Sequence, residues 1–179
     1  MTEGEITFLY VDGSCLGNVN VDSKTPAGWG LVVIVGDTGR GKGSGELLEE
    51  RFGPVVTDLG DEDFLGAEVG SNNTGELTAF ANALRWILSH EEDCEYVIRT
   101  DSTYAGNIAD GTWKAKANLA LVENVRVLWR EAKSIRQVSW NHVRAHRGHR
   151  WNERADHLAW RACINETPLP LQFWKPGMR

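Results

Sequence analysis

Four carboxylates in this sequence fall where the predicted secondary structure changes. Asp12 and Asp101 each end an apolar run, Glu76 lies in the first turn of a predicted helix, and Asp156 lies in the second turn of another. Open α/β sheets gather ligands outside the carboxyl ends of their strands. Carboxylates clustered there repel, by about 4 kcal/mol for two unit charges about 4 Å apart at an effective dielectric of about 20. A fold keeps such a cluster if cations fill it, and oxygen ligands select hard ions such as Mg²⁺ or Mn²⁺.

Each acid also has a purely structural interpretation. Asp12 can belong to a simple Asp-Gly turn, and Asp101 can cap the helix that follows it. Glu76 can be the capping partner of Asn73, and Asp156 can lie on a solvated helix face. Taken together, however, the four acids favour phosphoryl chemistry, because two hard cations about 4 Å apart hold both the entering and the leaving oxygen of a phosphoryl displacement.

The elements that must position these acids follow from the hydrophobic periodicity. The predicted strands cover residues 6–14, 28–35, 46–56, 65–71, 95–100 and 136–143. The predicted helices begin at Asn73, at Ser102, after Lys116 and at Trp151. Three consecutive strands indicate an antiparallel meander, and the helical crossovers that follow indicate parallel strands. We therefore expect a single α/β domain with a mixed sheet.

The first predicted strand carries apolar or β-prone residues on both of its alternating faces. Such a strand belongs in the middle of a sheet that is covered on both sides. Asp12 is therefore expected at the end of a central strand. A parallel neighbour would place Asp101 at the same edge of the sheet.

The composition is that of an ordinary globular protein, with 41% hydrophobic and 25% charged residues. No apolar run approaches the roughly 18 residues that cross a bilayer, and the acidic start lacks the basic region of a signal peptide. Cys15, Cys94 and Cys163 are widely spaced and odd in number, which is typical of reduced thiols. We expect a cytoplasmic monomer with no membrane association.

Charge is distributed unevenly along the chain. The net charge of −6 argues against a nucleic-acid partner. Yet residues 1–80 hold 14 acids and 4 bases, a balance of −10, whereas residues 81–179 hold 11 acids and 15 bases, a balance of +4. The basic half can present a local phosphate-binding face. The glycine-rich segment 36–45 is interpreted as a mobile hairpin loop rather than a phosphate site, because a strand and not a helix follows it.

Four motifs carry a specific resemblance. In chain order they are Tyr-Val-Asp-Gly-Ser-Cys-Leu-Gly-Asn at 10–18, Asn-Asn-Thr-Gly-Glu-Leu at 72–77, Thr-Asp-Ser-Thr-Tyr at 100–104 and His-Arg-Gly-His-Arg-Trp-Asn-Glu-Arg-Ala-Asp at 146–156. With them, the chain resembles type 1 ribonuclease H over most of residues 5–163. The resemblance implies a ribonuclease H-like fold, in which a five-stranded mixed sheet is flanked by helices. Residues 1–164 would form the catalytic domain and residues 165–179 a C-terminal tail.

The same resemblance implies endonucleolytic hydrolysis of the RNA strand of RNA–DNA hybrids. The reaction would use two Mg²⁺ ions, for which Mn²⁺ can substitute, and would leave 5′-phosphate and 3′-hydroxyl ends. His146 matches the mobile catalytic-loop histidine that assists proton transfer or product release. A zinc site is the competing interpretation, since His142 and His149 are near, but no cysteine lies close in sequence. His142 is expected to be structural and His149 to order the loop. The matching metal-binding acids are Asp12, Glu76, Asp101 and Asp156.

Substrate contacts are implied at nine positions: Gly13, Ser14, Asn18, Ser71, Asn72, Asn73, Trp113, Lys114 and Asn118. The asparagines of the first two motifs would contact 2′-hydroxyls, sugars and base edges in the minor groove. Ser71 matches a pocket for a phosphate of the DNA strand, which either Asn118 or Asn124 would complete. The tryptophan and lysine remain from a basic protrusion that is shorter here than in well-known members.

Two other functions stay open at this point. One is a nuclease or transposase of the same superfamily that acts on DNA, against which the two asparagines before Glu76 and the loop of His146 argue. The other is an inactive hybrid-binding scaffold, which would be expected to have lost at least one of the four acids. Segment 36–70 is longer than the usual meander, and the apolar tail is expected to fold back on the domain or to dock a partner.

Overall fold

The central sheet has five strands in this computed structural model, which describes residues 5–179. In chain order they are β1 Ile6–Cys15, β2 Ala27–Val35, β3 Glu46–Pro54, β4 Glu95–Thr100 and β5 Gln137–His142. Their spatial order is β3-β2-β1-β4-β5. The β1–β2 and β2–β3 pairs are antiparallel, and β1–β4 and β4–β5 are parallel. The predicted mixed sheet, a meander extended by parallel strands, is confirmed.

Within residues 5–179, four α-helices flank this sheet. They are α1 Asn72–Leu88, α2 Thr103–Ala109, α3 Leu119–Ile135 and α4 Arg150–Cys163, and a single 3₁₀ turn follows at Leu171–Phe173. The alternation along β1 shows how the layers form. Leu9 and Val11 enter the core beneath α1 and α3, whereas Phe8 and Tyr10 enter a second core beneath α4. The prediction that β1 is a central strand covered on both faces is therefore correct.

The predicted strand at residues 65–71 is wrong. This segment is an irregular loop in which Leu65 and Ala67 are nevertheless buried. Gly66 has a φ of +110°, which is incompatible with an extended strand, and the Asn124 amide donates a hydrogen bond to the Leu65 carbonyl at 2.6 Å. The apolar residues thus fill the core from a loop that α3 holds in place.

The glycine-rich segment joins β2 to β3, as predicted for a hairpin loop, and is tied to the start of α4. The Asp37 carboxylate accepts hydrogen bonds from the Gly39 and Ser44 amides, both at 3.2 Å, and from the Ser44 hydroxyl at 3.0 Å. Trp151 Nε1 donates to the Ser44 carbonyl at 2.7 Å. Burial opposes the ionised form of Asp37, but these hydrogen bonds and one from the Tyr10 hydroxyl outweigh it and lower the pKa of this carboxyl. The loop is therefore closed around the carboxylate of Asp37.

Residues 165–179 pack against α4. Trp174 is buried, with its ring 5.9 Å from the ring of His157. The Leu169 amide donates to His157 Nε2 at 3.0 Å, and Arg154 Nη1 donates to the Leu169 carbonyl at 2.9 Å. The tail was expected either to fold back on the domain or to dock a partner, and in the structure it folds back on the domain. Among residues 5–179, no helix combines the length and the apolar character needed to cross a membrane.

Candidate active site

Asp12 and Asp101 meet at one edge of the sheet, as the sequence predicted. Val11 of β1 lies beside Thr100 of β4 in parallel register. Asp12 follows within β1, where it pairs with Gly30 of β2, and Asp101 follows directly after the end of β4. Asp12 is 4% exposed, and one of its oxygens accepts a hydrogen bond from the Gly13 amide at 2.9 Å. The buried strand thus fixes the Asp12 carboxylate near the carboxyl end of β4.

The start of α1 delivers Glu76 to the same place. The helix is capped by Ser71, whose hydroxyl accepts a hydrogen bond from the Thr74 amide at 3.0 Å, while the Thr74 hydroxyl accepts one from the Ser71 amide at 2.9 Å. The suggested capping pair of Asn73 and Glu76 is therefore wrong, since the cap lies two residues earlier. Glu76 consequently has no part in capping and is buried against β1.

Ligand oxygens of Asp12, Glu76 and Asp101 lie within 4.8 Å of one another. Burial, together with the charge of Asp101, raises the pKa of Glu76 to about 8. Burial and the charges of Glu76 and Asp101 raise the pKa of Asp12 well above its usual value. Burial also raises the pKa of Asp101, although Nδ2 of the Asn152 side chain donates a hydrogen bond to its carboxylate at 3.3 Å. The three carboxyls thus resist ionising together unless positive charge is added.

One detail tests whether a divalent cation fits this cluster. Glu76 Oε2 is buried, and residues 5–179 offer it no hydrogen-bond partner. An orphaned carboxylate oxygen is costly to bury. Burial of this oxygen becomes favourable when a cation takes its free lone pair. The possible ligand atoms of this cluster are all oxygens, as Mg²⁺ and Mn²⁺ prefer. The residues present therefore suit a hard divalent ion.

Asp156 stands beside this group of three. It is carried by α4, which lies directly on β2, since a Cβ on Gly30 would fall 2.5 Å from the Ala155 carbonyl oxygen. Gly30 is in turn the partner of Asp12 in the sheet. The negative charge of Asp156 contributes to the raised pKa values of Asp12 and Glu76. Its own carboxylate accepts hydrogen bonds from Arg179, at 3.1 Å from Nη2 and 3.3 Å from Nε.

The three histidines of this region take different places. His146 is exposed in the loop before α4 with a φ of +54°, and its charge opposes the effect of burial on the pKa of Asp101. His149 is buried and caps α4, because its Nδ1 accepts a hydrogen bond from the Asn152 amide at 3.3 Å. His149 thus orders the loop, as expected. His142 is an exposed residue at the end of β5.

The predicted substrate residues fall into two groups. Near the acids, Gly13 and Ser14 continue β1, and the Asn18 side chain accepts a hydrogen bond from the Asn72 amide at 3.1 Å. The Ser71 hydroxyl is engaged in capping α1, and the buried Ser14 hydroxyl accepts a hydrogen bond from Arg179 at 3.3 Å. Both hydroxyls are thus already bonded within the protein.

The second group lines a cleft of about 260 Å³ between α1 and the segment before α3. Asn118 is half-buried there in the left-handed conformation, whereas the Asn124 amide is committed to Leu65. The cleft therefore brings Asn118, rather than Asn124, together with the predicted contacts. The residues lining it include Asn73, Trp113, Lys114, Lys116 and Asn118.

Two residues of the site were not singled out from the sequence. Asn152 lies inside the fourth motif, and its position one helical turn before Asp156 could have indicated that it faces the acids. Arg179 reaches the site from the end of the tail, 23 residues after Asp156. No local periodicity or motif accompanies it.

Comparisons with known proteins agree with this arrangement. The model of the RNase H family matches residues 4–164. The ribonuclease H of Cupriavidus metallidurans is 36% identical over 173 residues, which cover 90% of this chain and 98% of that protein. The ribonuclease H of Anaplasma marginale is 33% identical over 161 residues, which cover 84% of this chain and 86% of that protein.

Solved structures show the same fold. RNase H1 from the halophilic archaeon Halobacterium salinarum superposes with a TM-score of 0.63 at 24% identity, over 89% of this chain and 98% of that one. LC11-RNase H1, solved in complex with an RNA/DNA hybrid, superposes with a TM-score of 0.62 at 21% identity, over 89% of this chain and 97% of that one. With the family match spanning nearly all of the sheet and helices, the chain belongs to the RNase H family.

Proposed function

We propose that this member of the RNase H family cleaves the RNA strand of RNA–DNA hybrids with two divalent cations, Mg²⁺ in the first place. The observation that carries the proposal is the trio of Asp12, Glu76 and Asp101, buried and mutually repelling, with one orphaned oxygen. A site of this kind is stable when filled by cations, and its acids have no comparable use in a passive binding surface.

The four carboxylates take different parts. Asp12, at the centre of the cluster, would contact both ions, Glu76 and Asp101 would complete one coordination sphere, and Asp156 the other. When bound, the ions activate a water molecule and stabilise the charge on the leaving oxygen. Asn152 orients the Asp101 carboxylate through its hydrogen bond.

His146 is proposed to assist by moving a proton or by helping product to leave. It is exposed on a loop that includes Gly148 and precedes a firmly capped helix, so it can approach a bound substrate while His149 stays fixed. The coulombic attraction between His146 and the Asp101 carboxylate supports this role.

Hybrid recognition is assigned to the surface around the start of α1. Asn18 and Asn72 are linked by a hydrogen bond and offer polar groups to a minor groove, in which 2′-hydroxyls mark the RNA strand. The cleft with Trp113, Lys114 and Asn118 is assigned to the DNA strand, with a phosphate near Asn118. The relative solved with an RNA/DNA hybrid supports a hybrid as the substrate class.

A cytoplasmic monomer is also part of the proposal. Cys15, Cys94 and Cys163 are all free thiols, as expected in a reducing compartment. Light scattering at several protein concentrations tests the monomer, and localisation of the tagged protein by microscopy tests the compartment.

The activity is tested with a hybrid in which each strand carries a distinct label. Incubation with Mg²⁺, and separately with Mn²⁺, should cut the RNA strand internally and leave 5′-phosphate and 3′-hydroxyl ends, identified by mass spectrometry. RNA–RNA and DNA–DNA duplexes of the same sequence are the controls, together with Asp12→Asn on the hybrid. Cleavage of DNA–DNA at a comparable rate would replace the proposal with a DNA nuclease, and binding of hybrid without cleavage would replace it with a scaffold.

A further inference from the structure

Arg179 forms a fork on the fourth carboxylate of the site. Its Nη2 lies 3.1 Å from Asp156 Oδ1 and its Nε lies 3.3 Å from Asp156 Oδ2, so both carboxylate oxygens accept a hydrogen bond. The same Nη2 donates to the Ser14 hydroxyl at 3.3 Å. The guanidinium carbon lies 4.5 Å from the centroid of the Trp160 ring. Four contacts to α4 and β1 thus hold one positive charge at the edge of the acidic cluster.

The tail is built so that this arginine reaches the site. Trp174 is 4% exposed, and its Nε1 donates to the Met178 carbonyl at 3.0 Å, which closes the chain just before Arg179. The Met178 amide donates to the Lys175 carbonyl at 3.1 Å, and Arg161 Nη2 donates to the Arg179 carbonyl at 3.4 Å. The position of the guanidinium is therefore set by an anchored segment.

We propose that Arg179 is an internal counter-ion of Asp156 that competes with a divalent cation for this carboxylate. A bidentate guanidinium uses the oxygens of Asp156 that a metal ion would need. It also places a positive charge where a second positive charge is to bind, which raises the dissociation constant of that ion. Arg179 acts through Asp156 and is a positioning residue rather than a catalytic one.

The contact has a consequence for the order of events at the site. Asp12, Glu76 and Asp101 have no arginine among their partners in the described part of the chain, so an ion between them displaces no guanidinium. An ion that uses Asp156 must first displace the fork. The side chain of Arg179 is 49% exposed, so it can swing into solvent once it is released. The two ions are therefore expected to bind with unequal affinity, the weaker one at Asp156.

The experiment measures ion binding directly, without substrate. Mn²⁺ titrations followed by electron paramagnetic resonance and by calorimetry are compared for the wild type, Arg179→Ala, Arg179→Lys and Lys175→Ala. Removing the fork should lower the dissociation constant of the weaker site by about fivefold, the upper range for a partly exposed ion pair, and leave the tighter site unchanged. Lys175→Ala removes the same charge from the same tail away from the fork and should match the wild type.

Arg179→Lys separates geometry from charge, because an ammonium cannot occupy both carboxylate oxygens with a planar fork. It should give a weaker-site affinity between those of the wild type and Arg179→Ala. Thermal unfolding of each variant shows that the tail is still packed. Identical Mn²⁺ affinities in the wild type and Arg179→Ala would overturn the inference, as would an equal gain in Lys175→Ala, which would indicate general charge rather than the fork.

This inference rests on the proposed function, but the Mn²⁺ titrations that test it do not depend on hybrid cleavage. If the wild type binds two Mn²⁺ ions and the variant binds the second more tightly while no hybrid is cut, the proposed function fails and the counter-ion stands. If the hybrid is cut and Arg179→Ala raises KM in proportion to a lost phosphate contact, with Mn²⁺ affinities unchanged, the counter-ion fails and the proposed function stands.

Discussion

Gly13 and Gly75 face each other where β1 meets the first turn of α1. A Cβ on Gly13 would lie 2.4 Å from the Gly75 carbonyl carbon and 2.2 Å from the Glu76 nitrogen. A Cβ on Gly75 would lie 3.0 Å from the Gly13 Cα. Backbone thus touches backbone, and this contact carries Glu76 down to Asp12. The active site is assembled where neither β1 nor α1 has a side chain at the contact.

Gly13→Ala tests this contact. The added methyl group has to push α1 away from β1, which should lower the free energy of unfolding by about 1–3 kcal/mol, as overpacking does. It should also weaken Mn²⁺ binding, because Glu76 moves away from Asp12. Chemical denaturation and Mn²⁺ titration are the measurements.

Gly60→Ala is the matched control for that variant, since the nearest atom to its new Cβ would be 3.5 Å away. Gly60→Ala should leave both the free energy of unfolding and the Mn²⁺ affinity unchanged. If Gly13→Ala is as stable as Gly60→Ala and binds Mn²⁺ as tightly as the wild type, the close approach of β1 and α1 is not required.

Asp12→Asn should abolish most of the hydrolysis and yet stabilise the metal-free protein. The pKa of Glu76 is raised from 4.5 to about 8, and that of Asp12 is raised as well. An acid whose pKa is higher in the folded state stabilises the fold below its unfolded pKa, and this contribution is lost as the pH rises through the folded pKa. The metal-free wild type should therefore lose stability between pH 4.5 and about 8.

The variant removes one of the repelling charges, so its stability should fall less over the same range and exceed that of the wild type at the alkaline end by about 1–3 kcal/mol. Denaturation curves in a chelator across the pH series give the result, with the exposed Glu91→Gln as the control for a lost charge. A variant that is less stable than the wild type at every pH would mean that Asp12 is not repelled by its neighbours.

His146→Ala should reduce kcat more mildly than Asp12→Asn. Help with proton transfer is worth roughly 10²–10⁴-fold, whereas losing the central ligand removes the ions themselves. Because His146 is exposed and outside the group of clustered acids, the substitution should leave Mn²⁺ affinity unchanged. Single-turnover rates and Mn²⁺ titrations separate the two roles, and a loss of Mn²⁺ binding would identify His146 as a ligand.

His157 gives a second pH dependence, of opposite sign. Burial and the nearby charges of Arg154 and Arg161 lower the pKa of His157 to about 4, and its neutral Nε2 accepts a hydrogen bond from the Leu169 amide. A histidine held neutral in the fold stabilises it above the unfolded pKa of about 6.5, and the contribution is lost as the pH falls towards about 4.

His157→Gln keeps an acceptor for Leu169 but does not titrate, so the loss of about 1–3 kcal/mol on acidification should shrink. The exposed His142→Gln is the control. The difference between the wild type and each variant across pH 4 to 6.5 is the measurement, and equal pH profiles for the wild type and His157→Gln would contradict the prediction.

The positions of the four acids could be predicted because each depends on local structure. β1 is apolar on both faces up to Asp12, Asp101 directly follows β4, and the periodicity of α4 sets the turn in which Asp156 lies. Glu76 lies in the second turn of α1 and not in the predicted first turn, because the helix begins at Asn72. The exact cap of α1 could not be predicted, because Ser71, Asn72 and Asn73 are all good capping residues. In the structure Ser71 is the cap, and it pairs with Thr74 in a capping box.

Two other features depended on tertiary contacts that periodicity does not encode. Segment 65–71 has the apolar residues of a strand, but β3 and β5 form the edges of the sheet, and Gly66 turns the segment beneath α3 instead. Arg179 approaches Asp156 only because Trp174 anchors the tail on α4. No motif in the sequence around Arg179 marks it as part of the site.

Replacing Lys114 and Lys116 together by alanine should weaken hybrid binding in a salt-dependent way. Both lysines line the cleft with Trp113, and Arg126 braces that segment by donating to the Trp113 carbonyl at 2.6 Å. Each phosphate neutralised adds about 0.9 to the slope of log affinity against log salt, so the double variant should have a slope smaller by about two. KM should rise while kcat changes little, because neither lysine lies at the acids.

KM measured over a salt series gives the slope, and a variant with Lys24 and Lys175 replaced by alanine controls for the loss of two charges elsewhere. If both double variants reduce the slope equally, the lysines act through the net charge of the protein and not through contacts in the cleft.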